Sequence, residues 1–228
     1  NPSVHKLESL FVLAEAIHTH GAVASVQFNH IGEINHPATI SSGRNPIGPY
    51  GYVREDGVTI DQMDEAMMRE VADEFAEACA SAQSAGFEMV MLHGGHGWLL
   101  DQFTSPLYNT RTDEYGGSIE NRAKFPLMVI DRIRERCGES FLIEYRMSGS
   151  EEIEGGLSKE EGIAFAKLLD GKVDIIHVSA ALDIEEAQAV HTHPTMFLPH
   201  GVNVHYAAAI KAAGVKTPVV TLGGITTP

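Results

Sequence analysis

Two histidines, His93 and His96, stand three residues apart in the stretch 91–103, "MLHGGHGWLLDQF". An apolar run precedes them, three glycines surround them and a tryptophan follows. H-x-x-H supplies two metal ligands, one short of the three protein ligands of a catalytic zinc site. His177, His191, His193 or His205 would complete such a set, but no spacing selects among them. The glycines would let backbone N–H groups approach an anion. Alternatively, two neutral imidazoles at a strand end can hydrogen-bond a carbonyl or carboxylate oxygen and stabilise charge developing on it. Satisfying nearby backbone groups is the bland alternative, and the spacing leaves all of these readings open.

Whatever positions the pair must be built from five short apolar runs at 22–28, 87–92, 141–147, 173–179 and 218–222. Their Val, Ile, Leu and Phe content and their Gly, Pro or Asp boundaries predict buried parallel strands. Helical patterns lie between them. Met67, Val71, Phe75, Ala78 and Ala82 share one helical face within 61–85, with Asp61, Asp64 and Glu65 in the first turn, where the helix dipole favours negative charge. Ser118 and Ser158 read as N-caps of helices reaching Cys137 and about Leu169, and a further helix covers about 202–213. Alternating strands and helices mean an α/β fold with a parallel sheet. Polar and glycine residues follow each strand, as on the catalytic rim of a (β/α)8 barrel. No G-x-G-x-x-G opens a helix after a first strand, which disfavours the doubly wound alternative. The expected fold is therefore a (β/α)8 TIM barrel, incomplete because five strands are present instead of eight. The segment 32–59, rich in Gly, Pro and Ser, is expected to be a structureless lid or substrate loop.

The 228 residues carry a net charge of −15, which argues against a nucleic-acid partner. No apolar run approaches a membrane span, and no secretory leader precedes the first strand. Cys79 and Cys137 lie far apart in helix-like stretches and read as buried thiols in a reducing cytosol, giving a cytoplasmic expectation.

The segment 84–125, "SAGFEMVMLHGGHGWLLDQFTSPLYNTRTDEYGGSIENRAKF", resembles the centre of the Old Yellow Enzyme family of FMN-dependent ene-reductases. "VASVQFNHIGE" is similar to that family's third strand, "FLIEYRMSGSEEIEGGLSKEEGIAFAKLL" to its fifth strand and following helix, and "DIIHVSAA" and "TPVVTLGGI" to strands six and seven. The resemblance implies one FMN-binding barrel domain over 1–228, lacking strands 1, 2 and 8, as an internal fragment of a longer enzyme. It implies that His93 and His96 hold the oxygen of the group that activates an alkene. Gln27 would contact the flavin pyrimidine edge, Arg146 the N1–C2=O region, and Gly223 and Gly224 the FMN phosphate. Asp113, Tyr115 and Arg122 would pin a loop and cap a helix. NADH or NADPH would reduce the flavin, which would then pass hydride to the β-carbon of an unsaturated ketone, carboxylate or thioester.

One departure concerns the proton. Many members carry a tyrosine acid two residues after the second histidine, where this chain has Trp98, in contact with substrate; an indole N–H is not a practical acid. His191 or His193, in "HTHP", is the replacement candidate. A flavin amine dehydrogenase or demethylase, and a non-catalytic barrel remnant serving as a scaffold, are the competing expectations. Any iron–sulfur cluster would lie beyond Pro228, no metal is assigned within the chain, and oligomerisation stays open.

Overall fold

A computed structural model describes residues 4–40, 43–182 and 192–226, with side chains from residue 7 onward. Five parallel strands form one sheet: β1 (Ser25–Phe28), β5 (Met89–Gly94), β6 (Leu142–Ser148), β7 (Ile175–Ser179) and β8 (Val219–Thr221), side by side in that order. Each neighbour follows its predecessor through a helical connection. This is the unidirectional strand order of a (β/α) barrel wall, and the five expected strands are all present within a few residues of their expected ends.

Side-chain alternation splits the sheet into two faces. Val90 and Leu92 of β5, Ile143, Tyr145 and Met147 of β6, and Ile176 and Val178 of β7 point to the helices and are buried. They pack against α2 (Glu65–Ser84), α5 (Lys124–Cys137) and α6 (Lys159–Leu169), and α2 also lies along α5. The opposite face carries the polar residues considered below.

Local chemistry explains the helix boundaries. Asp64 accepts from the Met67 N–H and caps α2, so Asp61 lies outside the helix, in strand β4 (Thr59–Gln62). The buried stripe of α2 runs through Met68, Val71, Phe75 and Cys79, so the expected Met67 and Ala78 sit at its margin. Ser158 and Glu161 form a reciprocal capping box on α6. Ser118 caps a short α4 (Ile119–Arg122) that runs into α5 with a break at Ala123. Pro126, in the first turn of α5, has no N–H to offer the carbonyl of Arg122, which accounts for that break. After β7 the chain returns through α7 (Val204–Ala212), within the span expected for it.

Three elements differ from expectation. Helix α1 (Val4–Thr19) precedes β1 and was not expected. Its apolar residues keep to no single stripe: Phe11, Val12 and Leu13 are consecutive and exposed, so the amphipathic signal is lost. A one-and-a-half-turn helix, α3 (Leu99–Thr104), is too short to show a period. The segment 32–59 is not structureless. It holds two 3-10 turns and β2 (Ile47–Gly48) and β3 (Tyr52–Val53), which pair on either side of β4. Two-residue strands are below the length at which alternation can be read.

Cys79 and Cys137 are both free and buried, and burial pushes the Cys79 thiol well up. Arg122 is buried and donates to the carbonyls of Thr104 and Gly117 and to Glu161. It ties α3, α4 and α6 together, while the Arg111–Asp113 pair holds the preceding loop and Asp113 accepts from the Tyr115 N–H. Replacing Arg122 with Ala strands the buried Thr104 carbonyl and removes the partner of the Gly117 carbonyl and the Glu161 carboxylate; the expected loss is about 3 kcal/mol, measurable by urea denaturation.

Candidate active site

Residues paired across a parallel sheet point to the same face, so the strand register identifies what shares the inner surface. One row contains His93, Arg146, His177 and Val220, on β5, β6, β7 and β8. The row nearer the strand starts contains Gln27, Met91, Glu144 and Ile175. The row nearer the strand ends contains Ser148 and Ser179. Polar side chains are thus concentrated towards the carboxyl ends of the strands, where barrel active sites lie.

His93 closes β5 and the chain turns through Gly94, Gly95, His96 and Gly97 into α3. Gly94 admits no side chain: an added Cβ would stand 2.2 Å from the Tyr145 hydroxyl oxygen. His96 has φ 60°, a left-handed conformation that costs a non-glycine residue energy and persists only where surrounding contacts hold it. Those contacts are present. His96 Nε2 lies 2.8 Å from Ser179 Oγ, the Gly97 N–H donates to Asp101 Oδ2 at 2.8 Å, and Gln102 Nε2 donates to the Gly97 carbonyl at 2.7 Å. Burial and the nearby Glu151 carboxylate push Asp101 well above the usual carboxylate range.

The two imidazole rings lie with centroids 5.1 Å apart, and Trp98 meets His93 edge-on at 6.0 Å. His93 and His96 are 5% and 7% exposed. Burial, followed by the positive charge of Arg146, lowers both to about 3, so they are neutral at physiological pH. The Gly95 N–H reaches His93 Nδ1 at 3.4 Å, so the ring hydrogen sits on Nε2, where it can be offered to an incoming oxygen. Arg146 is itself half-buried, and among the described residues its Nε has no hydrogen-bond partner. His177 Nδ1 lies 2.7 Å from Glu144 Oε1, and its buried Nε2 is likewise without a partner.

The remaining sequence candidates are more dispersed. Gln27 is exposed on β1, at the edge of the same inner face. Gly223 has φ 125° and an added Cβ would press on Asn203 Nδ2 at 3.1 Å and Val202 at 3.2 Å. Gly224, at φ 63°, offers its carbonyl to His200 Nδ1 at 2.8 Å. The Asn203 amide, at the start of α7, is buried, and Nδ2 has no partner among the described residues. His193 is exposed, bonded to Thr192 Oγ1 at 2.9 Å, and its charge contributes to the field at His96. His191 lies outside the described residues. Among the described residues no three His, Cys, Asp or Glu side chains converge into a metal site, and no helix is long and apolar enough to cross a membrane.

Sequence reasoning missed Ser179, Asp101, Gln102 and Asn203 as site-building residues. Glu144 carried a usable signal, because it is a charged residue two positions before Arg146, on the same inner face of β6. Asn203 carried none.

Neutral histidines, a desolvated arginine and a glycine turn thus stand at the strand ends of a parallel α/β-barrel wall. The chain belongs to the NADH:flavin oxidoreductase / NADH oxidase family, which it matches over residues 3–228. It is 38% identical to an NADH oxidase of Thermoanaerobacter brockii over 97% of its own length and 34% of that protein's. It superposes on a 2-naphthoyl-CoA reductase with a TM-score of 0.84 and 26% identity, covering 99% of this chain and 36% of that one. On histamine dehydrogenase from Rhizobium sp. 4-9 the TM-score is 0.86 at 28% identity, covering 98% and 32%. The chain therefore spans about a third of the length of these proteins.

The low pKa values of His93 and His96 have a consequence for stability. Between pH 6.5 and about 3 the unfolded chain binds protons that the folded chain excludes, so the folded state loses stability as pH falls through that window. Each histidine contributes a slope approaching about 1.4 kcal/mol per pH unit. Replacing both with Asn is expected to flatten the acid limb of a urea-midpoint-versus-pH profile between pH 6 and 4.

Proposed function

We propose that the intact protein is an FMN-dependent ene-reductase that draws electrons from NADH or NADPH and reduces the double bond of an unsaturated carbonyl, carboxylate or thioester. In this reading residues 1–228 form part of one FMN-binding barrel domain. The observation that carries it is the pair of neutral, buried imidazoles, His93 and His96, held beside Arg146. Amine substrates have no carbonyl oxygen to occupy such a pair. The names of several relatives point the same way, among them a cinnamate reductase of Clostridium sporogenes and a bilirubin reductase of Mediterraneibacter gnavus. Similarity to histamine dehydrogenase supports the second reading, oxidation of an amine in the same fold.

The residues fit the cofactor. Arg146 Nε and Asn203 Nδ2 are buried donors lacking partners among the described residues, and Asn203 adjoins Gly223, where a side chain would crowd it. Arg146 would hold the pyrimidine edge with Gln27, and Asn203 with the Gly223–Gly224 backbone would hold the phosphate. When bound, FMN supplies the two-electron transfer between nicotinamide and alkene. His93 Nε2–H and His96 then hold the substrate oxygen and withdraw electrons from the double bond, which makes the β-carbon electrophilic. Trp98, edge-on to His93, walls the substrate side and offers no acid. Proton delivery to the α-carbon is assigned to His193 or His191.

Expressed as the intact polypeptide, the protein is expected to be yellow, to bleach anaerobically with NADH or NADPH, and to be reoxidised by enoates or enones. A colourless, FMN-indifferent protein rejects the reading, and reduction of the bound flavin by amines in place of nicotinamide favours the second. Replacing His191 and His193 together with Gln is expected to slow alkene reduction about a hundredfold while nicotinamide-driven bleaching keeps its rate. Stopped-flow measurement of the two half-reactions separates these, and an unchanged oxidative half-reaction removes the two histidines from the role.

A further inference from the structure

Glu144 is a carboxylate buried on the inner face of the sheet, 6% exposed, in the row next to Arg146 and His177. An acidic group there opposes an anionic cofactor unless it serves another group. Its contact is with His177, whose Nδ1 is 2.7 Å from Oε1. A carboxylate only accepts, so Nδ1 carries the hydrogen and Nε2 is the ring atom left free. Among the described residues Nε2 is buried without a partner, as is Nε of Arg146 on the adjacent strand at the same level. Buried polar atoms without partners are rare in folded proteins. Arg146 Nε donates, and His177 Nε2 donates once its ring carries a second proton, so side by side in one register row they mark a surface shaped for an edge that bears negative charge.

We infer that His177, oriented by Glu144, is a second contact for the pyrimidine edge of bound FMN and, with Arg146, favours the cofactor's reduced, anionic form. The inference rests on the FMN reading above. Glu144 acts through His177: it fixes the ring's orientation and sets a negative charge against the Nδ1 side, as a carboxylate does for a catalytic histidine. With a proton taken from bulk water at Nε2, His177 would present an N–H beside Arg146 Nε–H, and the two donors would hold the negative charge that a reduced FMN carries on its pyrimidine edge. Of the other groups around His177, His93 and His96 are held at about 3, β8 presents Val220 in the same row, and Arg146 is a fixed cation that opposes a second positive charge until an anionic edge lies against both.

The test uses the intact polypeptide and reads two quantities besides turnover, the FMN dissociation constant and the midpoint potential of the bound flavin. His177→Asn keeps an amide N–H near the position of Nδ1 for Glu144 but removes Nε2. It is expected to reduce the ratio of affinities for reduced over oxidised FMN about tenfold, the size of one charge-assisted hydrogen bond, and so to lower the potential. Glu144→Gln is the discriminating variant. Deleting a negative charge beside the flavin would by itself raise the potential, whereas loss of the imidazolium lowers it. A lower potential in both variants, with the double variant no lower than His177→Asn alone, supports the inference. An unchanged or higher potential in Glu144→Gln overturns it, as do variants that lower thermal stability alone. His177→Gln serves if the Asn variant does not fold, with the same criteria. A colourless wild-type protein overturns the FMN reading and this inference together; a yellow one with unmoved variant potentials overturns only the inference.

Discussion

The site depends on the register of the parallel sheet. Because paired residues on parallel strands face one way, aligning His93 with Arg146 and Arg146 with His177 places three nitrogen-bearing side chains on one surface without any contact between them having to form first. Alternation then assigns Tyr145 and Met147 to the opposite face, where they pack against helices. Slipping β6 by one residue would put Arg146 into the apolar layer and Tyr145 into the site. The apolar face therefore specifies the polar one.

Electrostatics follow from that arrangement. Removing two imidazoles from water beside a guanidinium leaves them neutral, and a neutral ring presents one N–H and one lone pair in fixed places. His93 uses its lone pair on the Gly95 N–H, and Ser179 partners His96. The protein thus holds hydrogen-bonding capacity at the strand ends that needs no reorganisation when an oxygen arrives. The cost appears in the backbone of His96, in the buried Asp101 that anchors the turn, and in the unpartnered atoms of Arg146 and His177.

Much of this was legible in the chain. The five strands, the caps at Ser118 and Ser158 and the long α2 all announce themselves through composition and periodicity. The histidine turn is marked by its glycines and by the motif around it. What was not legible has physical causes. Helix α1 lacks a stripe because Phe11, Val12 and Leu13 are exposed together. Strands β2 and β3 are too short for a pattern. The pairing of Glu144 with His177 joins residues 33 positions apart, and only register reveals it. Asp101 reads as an ordinary helical acid until its bond to the Gly97 N–H is seen.

Gly94 and Tyr145 meet where the two faces of the sheet come closest. Tyr145 belongs to the outer layer and packs edge-on against Phe165 of α6, with ring centroids 5.6 Å apart. Its hydroxyl nevertheless occupies the space a side chain at Gly94 would need, directly under the turn that carries both histidines. The height of that turn above the strands is therefore set from behind, by an aromatic stack that never touches the cleft. The distance between the imidazoles and whatever lies beneath them can accordingly be altered by changing residues of the helical layer, so the shape of the cleft has a second set of determinants outside its own lining.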